Sequence, residues 1–366
     1  MYFIGYGCAQ IGPADNPAAF RIPWGIQTIP AILLFLLLPM FPRSPRWLAG
    51  QGRWDEAIET LAMINAKGNR DDPEVVAEIA EIREAVEQEK KDGSSYLVLL
   101  KRQNINRVFI SLMTQVWQQL AGGNIMMYYV VYVFEMAGLK GNTNLIASGV
   151  QYAIMVVFQV PVFFYIDHVG RRPLLIFGSM FMGIFIFAVG GLIATQGHYV
   201  DSVNGNPNIH VSIVGNQQAT NAILVCSYFF ILVYAMALAP VAWVYAPEVL
   251  GLNIRAKGMG ISASGNWIFN FSLGFFVPSA FNNIGYQTFI IFGIFCMAQC
   301  VHFFLFFPET AQKTLEEIDD LFAKNGPKAW RTRVGHSRVD REAMQVDQQH
   351  HMGADMKSGS NQDESV

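Results

Sequence analysis

Apolar runs about twenty residues long alternate with short charged clusters from one end of this chain to the other. That is the length one helical crossing of a bilayer core requires. Six runs meet it, at residues 22–41, 108–134, 145–166, 174–195, 220–245 and 257–280, and a seventh extends from 286 to 307. The spacing predicts an all-α integral membrane protein built as a multi-pass helical bundle. Between the first two runs lies a charged insert, residues 46–104. Within it, Trp54-Asp55-Glu56-Ala57 and residues 75–89 read as amphipathic helices. Val76, Ile79, Ile82 and Val86 recur there at helical spacing with acids on the remaining face. Asp71-Asp72-Pro73 supplies a helix start with proline in the first turn.

Composition agrees. Hydrophobic residues are 52% of the chain and charged residues 14%, against roughly 25% charged in a soluble domain. Phenylalanine is heavily used, at 28 of 366 residues. The net charge of −3 is uninformative, because the placement of charge carries the topology. Arg43, Arg46 and Arg53 follow the first run, Lys101, Arg102 and Arg107 precede the second, and Arg171-Arg172 separate the third and fourth. Arg255 and Lys257 stand between the fifth and sixth, and Lys313 follows the last. The opposite loops, at 140–142, 197–218 and 281–285, carry almost no basic residues. The positive-inside rule makes the basic set cytoplasmic, and with it the carboxy-terminal tail. The loop at 197–218 is rich in Asn, Gly and Ser and reads as irregular, and the polar tail from about residue 325 as disordered. The opening MYFIGYG is apolar but lacks the basic start and cleavage site of a signal peptide.

Gln118-Gln119-Leu120-Ala121-Gly122-Gly123-Asn124, running on to Tyr128-Tyr129, is the chemically richest stretch. Polar side chains in a membrane helix are costly unless they face a cavity or another helix. Amides donate and accept hydrogen bonds together, which suits a neutral, hydroxyl-covered ligand. Gly122-Gly123 can loosen the helix and let backbone approach that ligand. The alternative is helix packing through small residues, with the amides bonding helix to helix. In the later runs, Pro240 removes a helical hydrogen bond, Trp243 offers an apolar face and one donor, and Asn266 and Asn270 share one face at a spacing of four. Asn270-Phe271-Ser272 matches a glycosylation acceptor that would be silent at membrane depth.

Other chemistries find no support. His168, His198, His210 and His302 are scattered without a serine, cysteine and carboxylate in register, so no enzyme is indicated. No phosphate-binding loop, cofactor site or nucleic-acid face is present. The cysteines, Cys8, Cys226, Cys296 and Cys300, show no metal spacing and read as small buried hydrophobes. His350-His351 form an isolated pair in the tail and do not read as a metal site.

Seven motifs occur in order: Arg43-Ser44-Pro45-Arg46-Trp47-Leu48, the QQLAGGN…YY run, Asp167-His168-Val169-Gly170-Arg171-Arg172-Pro173, Pro240-Val241-Ala242-Trp243, Arg255-Ala256-Lys257-Gly258, Gly265-Asn266-Trp267 and Pro308-Glu309-Thr310. Together, from Met1 to about Phe322, the chain resembles the sugar porters of the major facilitator superfamily, most closely fungal monosaccharide transporters. The resemblance implies a carboxy-terminal six-helix half (residues 105–310), preceded by the end of span five and span six (1–45) and the cytoplasmic helical insert (46–104), and followed by the tail (311–366). It implies that most of the amino-terminal half, with the acid that couples protons, lies outside this chain, so that the fragment alone moves no sugar. It further implies a sugar site lined by Gln118, Gln119, Asn124, Trp243, Asn266 and Asn270, with Tyr128 and Tyr129 helping to close an external gate.

On the same resemblance, Arg46, Asp167, Arg171, Arg172, Glu248, Arg255 and Glu309 form a cytoplasmic ion-pair network that holds the outward-facing state. The simpler alternative for these charges is snorkelling and topology marking. The expected function is transport of a neutral hexose or pentose across the plasma membrane by alternating access, proton-coupled in the full-length parent. A sugar sensor, or a transporter of inositol or quinate, is the alternative. An anionic ligand would call for an intramembrane Arg or Lys, and none occurs between Arg107 and Lys140 or between Arg172 and Arg255. Departures from the family pattern are Arg43 in place of an acid, Gly123 in place of a larger apolar residue, Met155 in place of an asparagine, Ala239 in place of a glycine, and Ala311-Gln312 in place of Lys-Gly.

Overall fold

The computed structural model describes residues 2–10, 16–92, 96–102, 104–200, 202–203, 209–251, 254–313, 317–318, 321–322 and 327–335. Gln348 to His351, and most of the tail expected to be disordered, lie outside them. The chain divides into two compact units, one of residues 1–100 with 252–256 and one of 101–251 with 257–366.

The first unit holds α1 (Tyr2–Ala9), α2 (Ala18–Leu37), α3 (Pro45–Gly50), α4 (Trp54–Asn65) and α5 (Pro73–Asp92). Helix α2 is mostly apolar, with Arg21 near its start, and buries none of its residues inside the protein, as a span facing lipid does. Helices α3, α4 and α5 bury Leu48, Ala57, Leu61, Val75, Ile79 and Ile82 in a small core of their own. The expected stripe on α5 is corrected by one position. Val75, Ile79, Ile82 and Val86 are buried, whereas Val76 is 56% exposed. Spacings of four, three and four keep the first set on one face, and Val76 stands about 100° away from Val75.

The second unit holds α6 (Ile105–Leu120), α7 (Gly123–Tyr128), α8 (Val130–Met136), α9 (Gly141–Gln159), α10 (Val162–Val169), α11 (Arg171–Gln196), strands β1 (Gly197–Tyr199) and β2 (Val211–Ile213), α12 (Gln217–Met236), α13 (Leu238–Glu248), α14 (Arg255–Ile284, from residue 257 on) and α15 (Gln287–Phe306). Helix α11 packs on α15, α12 and α13, and α6 packs on α13 and α15. The core between them is built from Ile186, Phe230, Phe289, Phe292 and Phe303, all fully buried. Small residues set the spacing. A Cβ at Gly178 would lie 2.5 Å from Ala237 Cβ, and one at Gly293 would lie 2.5 Å from the Phe187 ring.

Among the described residues, four helical segments are long and apolar enough to cross a membrane, one of them made of α12 and α13 together, or five if α9 and α10, bent by 55° at the break around Pro161, count as one. The expected runs at 108–134 and 257–280 are helical but fall short of that test. The first is broken into α6, α7 and α8, and the second, in α14, is diluted by the amides that distinguish it. The loop at 197–218 is not wholly irregular, because β1 and β2 pair antiparallel from Gly197↔Ile213 to Tyr199↔Val211. Ile209 and Ile213 enter the core from this ribbon, which gives it a reason to order. All four cysteines are free.

The register of α5 is open to a direct check. Val75→Asp is expected to expose the 66–72 connection to limited proteolysis, because a charge would enter the α3–α4–α5 core at a cost of several kcal/mol. Val76→Asp is expected to leave the cleavage rate within about twofold of wild type, as surface substitutions do.

Candidate functional site

One face of α6 carries Ser111, Gln115, Gln118 and Gln119, and the facing side of α14 carries Ser262, Asn266 and Asn270. Spacings of three, four, seven and eight put such residues on one helical stripe. The two stripes interlock. Gln119 Nε2 donates to Asn266 Oδ1 at 2.8 Å, and Asn266 Nδ2 donates to Gln118 Oε1 at 2.7 Å and to Gln115 Oε1 at 2.8 Å. Gln119 Oε1 accepts from Asn270 Nδ2 at 3.3 Å and from Asn124 Nδ2. The hydroxyls of Ser111 and Ser262 meet at 2.8 Å.

Helix α13 closes the third side through its backbone. Ser111 Oγ donates to Ala246 O at 2.9 Å, Gln115 Nε2 to Ala242 O at 3.2 Å and Gln118 Nε2 to Ala239 O at 3.4 Å. Gln115, Gln118, Gln119 and Asn266 are buried, whereas Asn124 and Asn270 are half-buried at the rim. Trp243 lies on the same α13, 45% exposed. The structure thus brings Gln118, Gln119, Asn124, Asn266 and Asn270 together. It adds Ser111, Gln115 and Ser262, which sequence reasoning passed over. Gln115 is four residues before Gln119 and three before Gln118, a spacing that could have found it.

The breaks beside this cluster have local causes. Gly122, at the end of α6, takes a left-handed conformation (φ 84°). A Cβ there would also press on Ile186 and Phe292 at 3.2–3.3 Å, so glycine is favoured on both counts. Gly123 opens α7 with the Tyr234 ring 2.7 Å from where its Cβ would stand. The helix is interrupted again at Tyr129 (φ −112°, ψ 19°). The Tyr129 hydroxyl donates to Gly274 O at 3.0 Å and its ring meets Phe281 edge-on, whereas Tyr128 is 63% exposed. Pro240 has no N–H to offer Met236 O, four residues earlier. The Tyr165 hydroxyl supplies the donor instead, at 2.5 Å.

At the end of this unit that carries the arginine-rich loop, Arg171 Nη2 lies 2.9 Å from Glu248 Oε1 and 2.8 Å from Asp167 Oδ1. Glu309 is buried and acts as an internal anion. Its Oε1 accepts from the backbone N–H groups of Arg171, Thr310 and Ala311, each at 3.0 Å, and its Oε2 from that of Arg172 at 3.1 Å. A carboxylate at the N-terminus of α11 takes up otherwise unpartnered amides and opposes the helix dipole. Thr310 Oγ1 donates to Glu248 Oε2 at 2.7 Å, and Arg172 Nη2 to Phe304 O at 2.9 Å. Residues 327–335 fold back here, where Thr332 Oγ1 accepts from Glu309 N at 2.8 Å. Gln312 is left-handed (φ 56°) at the position where the resemblance leads one to expect glycine, and its Nε2 donates to Asp167 O at 3.2 Å. Ala311 beside it is buried. Arg46, exposed on α3, and Arg255 belong to the first compact unit.

The family described as Sugar (and other) transporter matches residues 1–322. The chain belongs to it. Relatives in the sugar transporter family include a high-affinity glucose transporter of Kluyveromyces lactis, 43% identical over 335 residues, with 91% of this chain and 60% of that protein covered. High-affinity glucose transporter 1 of Candida albicans is 41% identical over 338 residues, covering 91% and 61%. Among solved structures, the proton:xylose symporter XylE bound to 6-bromo-6-deoxy-D-glucose superposes with a TM-score of 0.71 at 26% identity, covering 88% of this chain and 63% of that one. The chain therefore spans about three fifths of the length of the relatives it matches. Sugar transporters of this family are multi-pass integral membrane proteins and not enzymes, in keeping with the apolar helices described above.

The two carboxylates beside Arg171 are expected to differ in weight. Glu248→Ala removes a partner shielded from solvent and should lower stability by about 1–3 kcal/mol, discounted from a fully buried pair because Asp167 remains. Asp167 is 64% exposed in its side chain, and Asp167→Ala should cost less than about 1 kcal/mol. Thermal unfolding of the detergent-solubilised chain measures both.

Proposed function

We propose that these residues serve a transporter of a neutral monosaccharide, a hexose or pentose, working by alternating access and coupled to protons in the complete protein. The observation that carries this reading is the chemistry of the α6–α14–α13 cluster. It is composed of amides, hydroxyls and backbone carbonyls, and no charged side chain takes part in the bonds that define it. Such a set offers donors and acceptors to sugar hydroxyls and nothing to neutralise an anion. Relatives named as glucose transporters, and a neighbour whose structure holds a halogenated glucose, support the same class.

Gln118, Gln119, Asn124, Asn266 and Asn270 are assigned to sugar binding, with Trp243 as the apolar face against the ring. Tyr128 and Tyr129, on the segment loosened by Gly122 and Gly123, act as the outer gate, and Pro240 sets the bend of α13. The Asp167–Arg171–Glu248 pairs hold the inner side closed and are remade in each cycle, a two-state element that sugar biases, while Arg172 and Glu309 belong to the joint that carries them. Arg46 and Arg255 join that set on family resemblance. The protein is placed in the plasma membrane with its carboxy-terminal tail cytoplasmic, since the basic loops share the tail's side.

The test uses a transporter in which the Kluyveromyces lactis relative supplies the amino-terminal spans. Gln119→Ala leaves Asn266 and the sugar each short of a partner, at about 1–3 kcal/mol, so sugar affinity should fall by roughly five- to a hundredfold. Wild-type affinity at normal surface expression would overturn the site.

A further inference from the structure

Helix α9 carries a pair of side chains that the sugar site does not use. Gln151, fully buried, donates from Nε2 to Met126 O. Tyr152, the next residue, donates its hydroxyl to Met127 O at 2.5 Å. Both carbonyls lie just ahead of Tyr129, where the helix is interrupted between α7 and α8. In a continuous helix they would be taken up by the N–H groups of Val130 and Val131, four residues on. Those groups stand beyond the break. In apolar surroundings an open carbonyl is costly, and neighbouring side chains are the available remedy. Two turns earlier on the same face of α9, Asn144 Nδ2 donates to Val131 O at 3.0 Å, tying α9 to the far side of the same break.

These bonds belong to the broken form of the segment and would be redundant in a continuous helix. Gln151 Oε1 is in addition buried without a hydrogen-bond partner, an acceptor held against the segment whose own N–H groups the break releases. We propose that Gln151 and Tyr152 are positioning residues for the gate: they stabilise the interrupted form of residues 122–129 over a continuous one, and so set how often Tyr128 stands in the exposed position. The proposal rests on the reading of Tyr128 and Tyr129 as the gate. It predicts that losing either bond depopulates the form in which Tyr128 is exposed.

The completed transporter described above, carrying Tyr128→Cys, reports this through the rate at which a membrane-impermeant maleimide labels the introduced thiol on intact cells. The same protein without that substitution supplies the background from native cysteines. Tyr152→Phe removes one hydroxyl and leaves the ring, so packing is kept. Its labelling rate is expected to fall about three- to tenfold, the range one lost hydrogen bond allows, with a fall in maximal uptake rate in the protein that retains Tyr128. Gln151→Leu should act in the same direction. If Gln151→Leu does not reach the surface, Tyr152→Phe decides alone.

A labelling rate per surface molecule that is unchanged or raised in Tyr152→Phe would overturn the proposal, even if the variant melts at a lower temperature. That outcome would mark the bond as merely structural. Gln119→Ala measured alongside keeps the two readings apart. Intact sugar affinity in that variant would refute the binding site, whereas the labelling result bears on Gln151 and Tyr152 alone.

Discussion

A polar group inside an apolar bundle needs a partner, and the second unit is arranged around that need. Its helices are interrupted where Pro240, Gly122 and Tyr129 require it, and carbonyls at two of these interruptions are taken up by a side chain from a neighbouring helix. Tyr165 reaches Met236 O, and Gln151 and Tyr152 reach the carbonyls of Met126 and Met127. Ser111, Gln115 and Gln118 do the same along one edge of α13. An unmet buried group costs about 1–3 kcal/mol, so each bond fixes the register of one helix against another. Apolar packing alone would allow those helices to slide, because Leu, Ile and Phe have no preferred partner. The amides thus specify the bundle as well as forming the cluster proposed to bind sugar.

The charged end follows the same rule at higher stakes. Glu309 is buried and satisfied by four backbone N–H groups rather than by an arginine side chain, so it caps α11 and joins the segment after α15 to that helix. Arg171 joins α10, α11 and α13 through Asp167, its own backbone neighbourhood and Glu248. The two acids have separate tasks. Glu309 holds the firmer joint, because releasing it would leave a buried carboxylate and four N–H groups without partners together. Glu248 and Asp167 meet Arg171 through side chains alone, and such pairs can part and reform. In the reading proposed above, alternating access would use both kinds of contact.

Much of this was legible in the chain. Helix positions followed from the apolar runs, and the amides of 118, 119, 266 and 270 were exposed as candidates by their cost in a membrane. What escaped notice did so for physical reasons. Gln115 has no adjacent polar residue to draw attention, and shows itself only through the helical spacing that joins it to Gln118 and Gln119. Val75 and Val76 are chemically identical, so their order on α5 depends on which face α3 and α4 cover. The β1–β2 ribbon forms because Ile209 and Ile213 find a core to enter, which local sequence does not announce. The fold-back of residues 327–335 depends on the buried Glu309, far away in sequence. Gln312 adopts a left-handed conformation in place of an expected glycine because its side chain finds Asp167 O, a gain that offsets the backbone cost.

The amide cluster is satisfied within itself, and this bears on how it would recognise a sugar. In the reading proposed above, a hydroxyl entering the site would either use the remaining capacity of a rim amide such as Asn270 or displace an existing bond, and in the second case affinity is a difference between bonds exchanged. The network is uneven in this respect. Asn266 is held by contacts of 2.7–2.8 Å from three glutamines, and replacing those gains little. The contacts from Asn270 to Gln119, at 3.3 Å, and from Gln118 to Ala239 O, at 3.4 Å, are long and weak. In the proposed site, those are the ones a sugar hydroxyl would replace most favourably. On this geometry Asn266 is the anchor that keeps the glutamines aimed, and Gln118, Gln119 and Asn270 present the exchangeable edge. On the family resemblance, Met155 in place of an asparagine would withhold a further partner on α9 and leave more of the recognition to that edge.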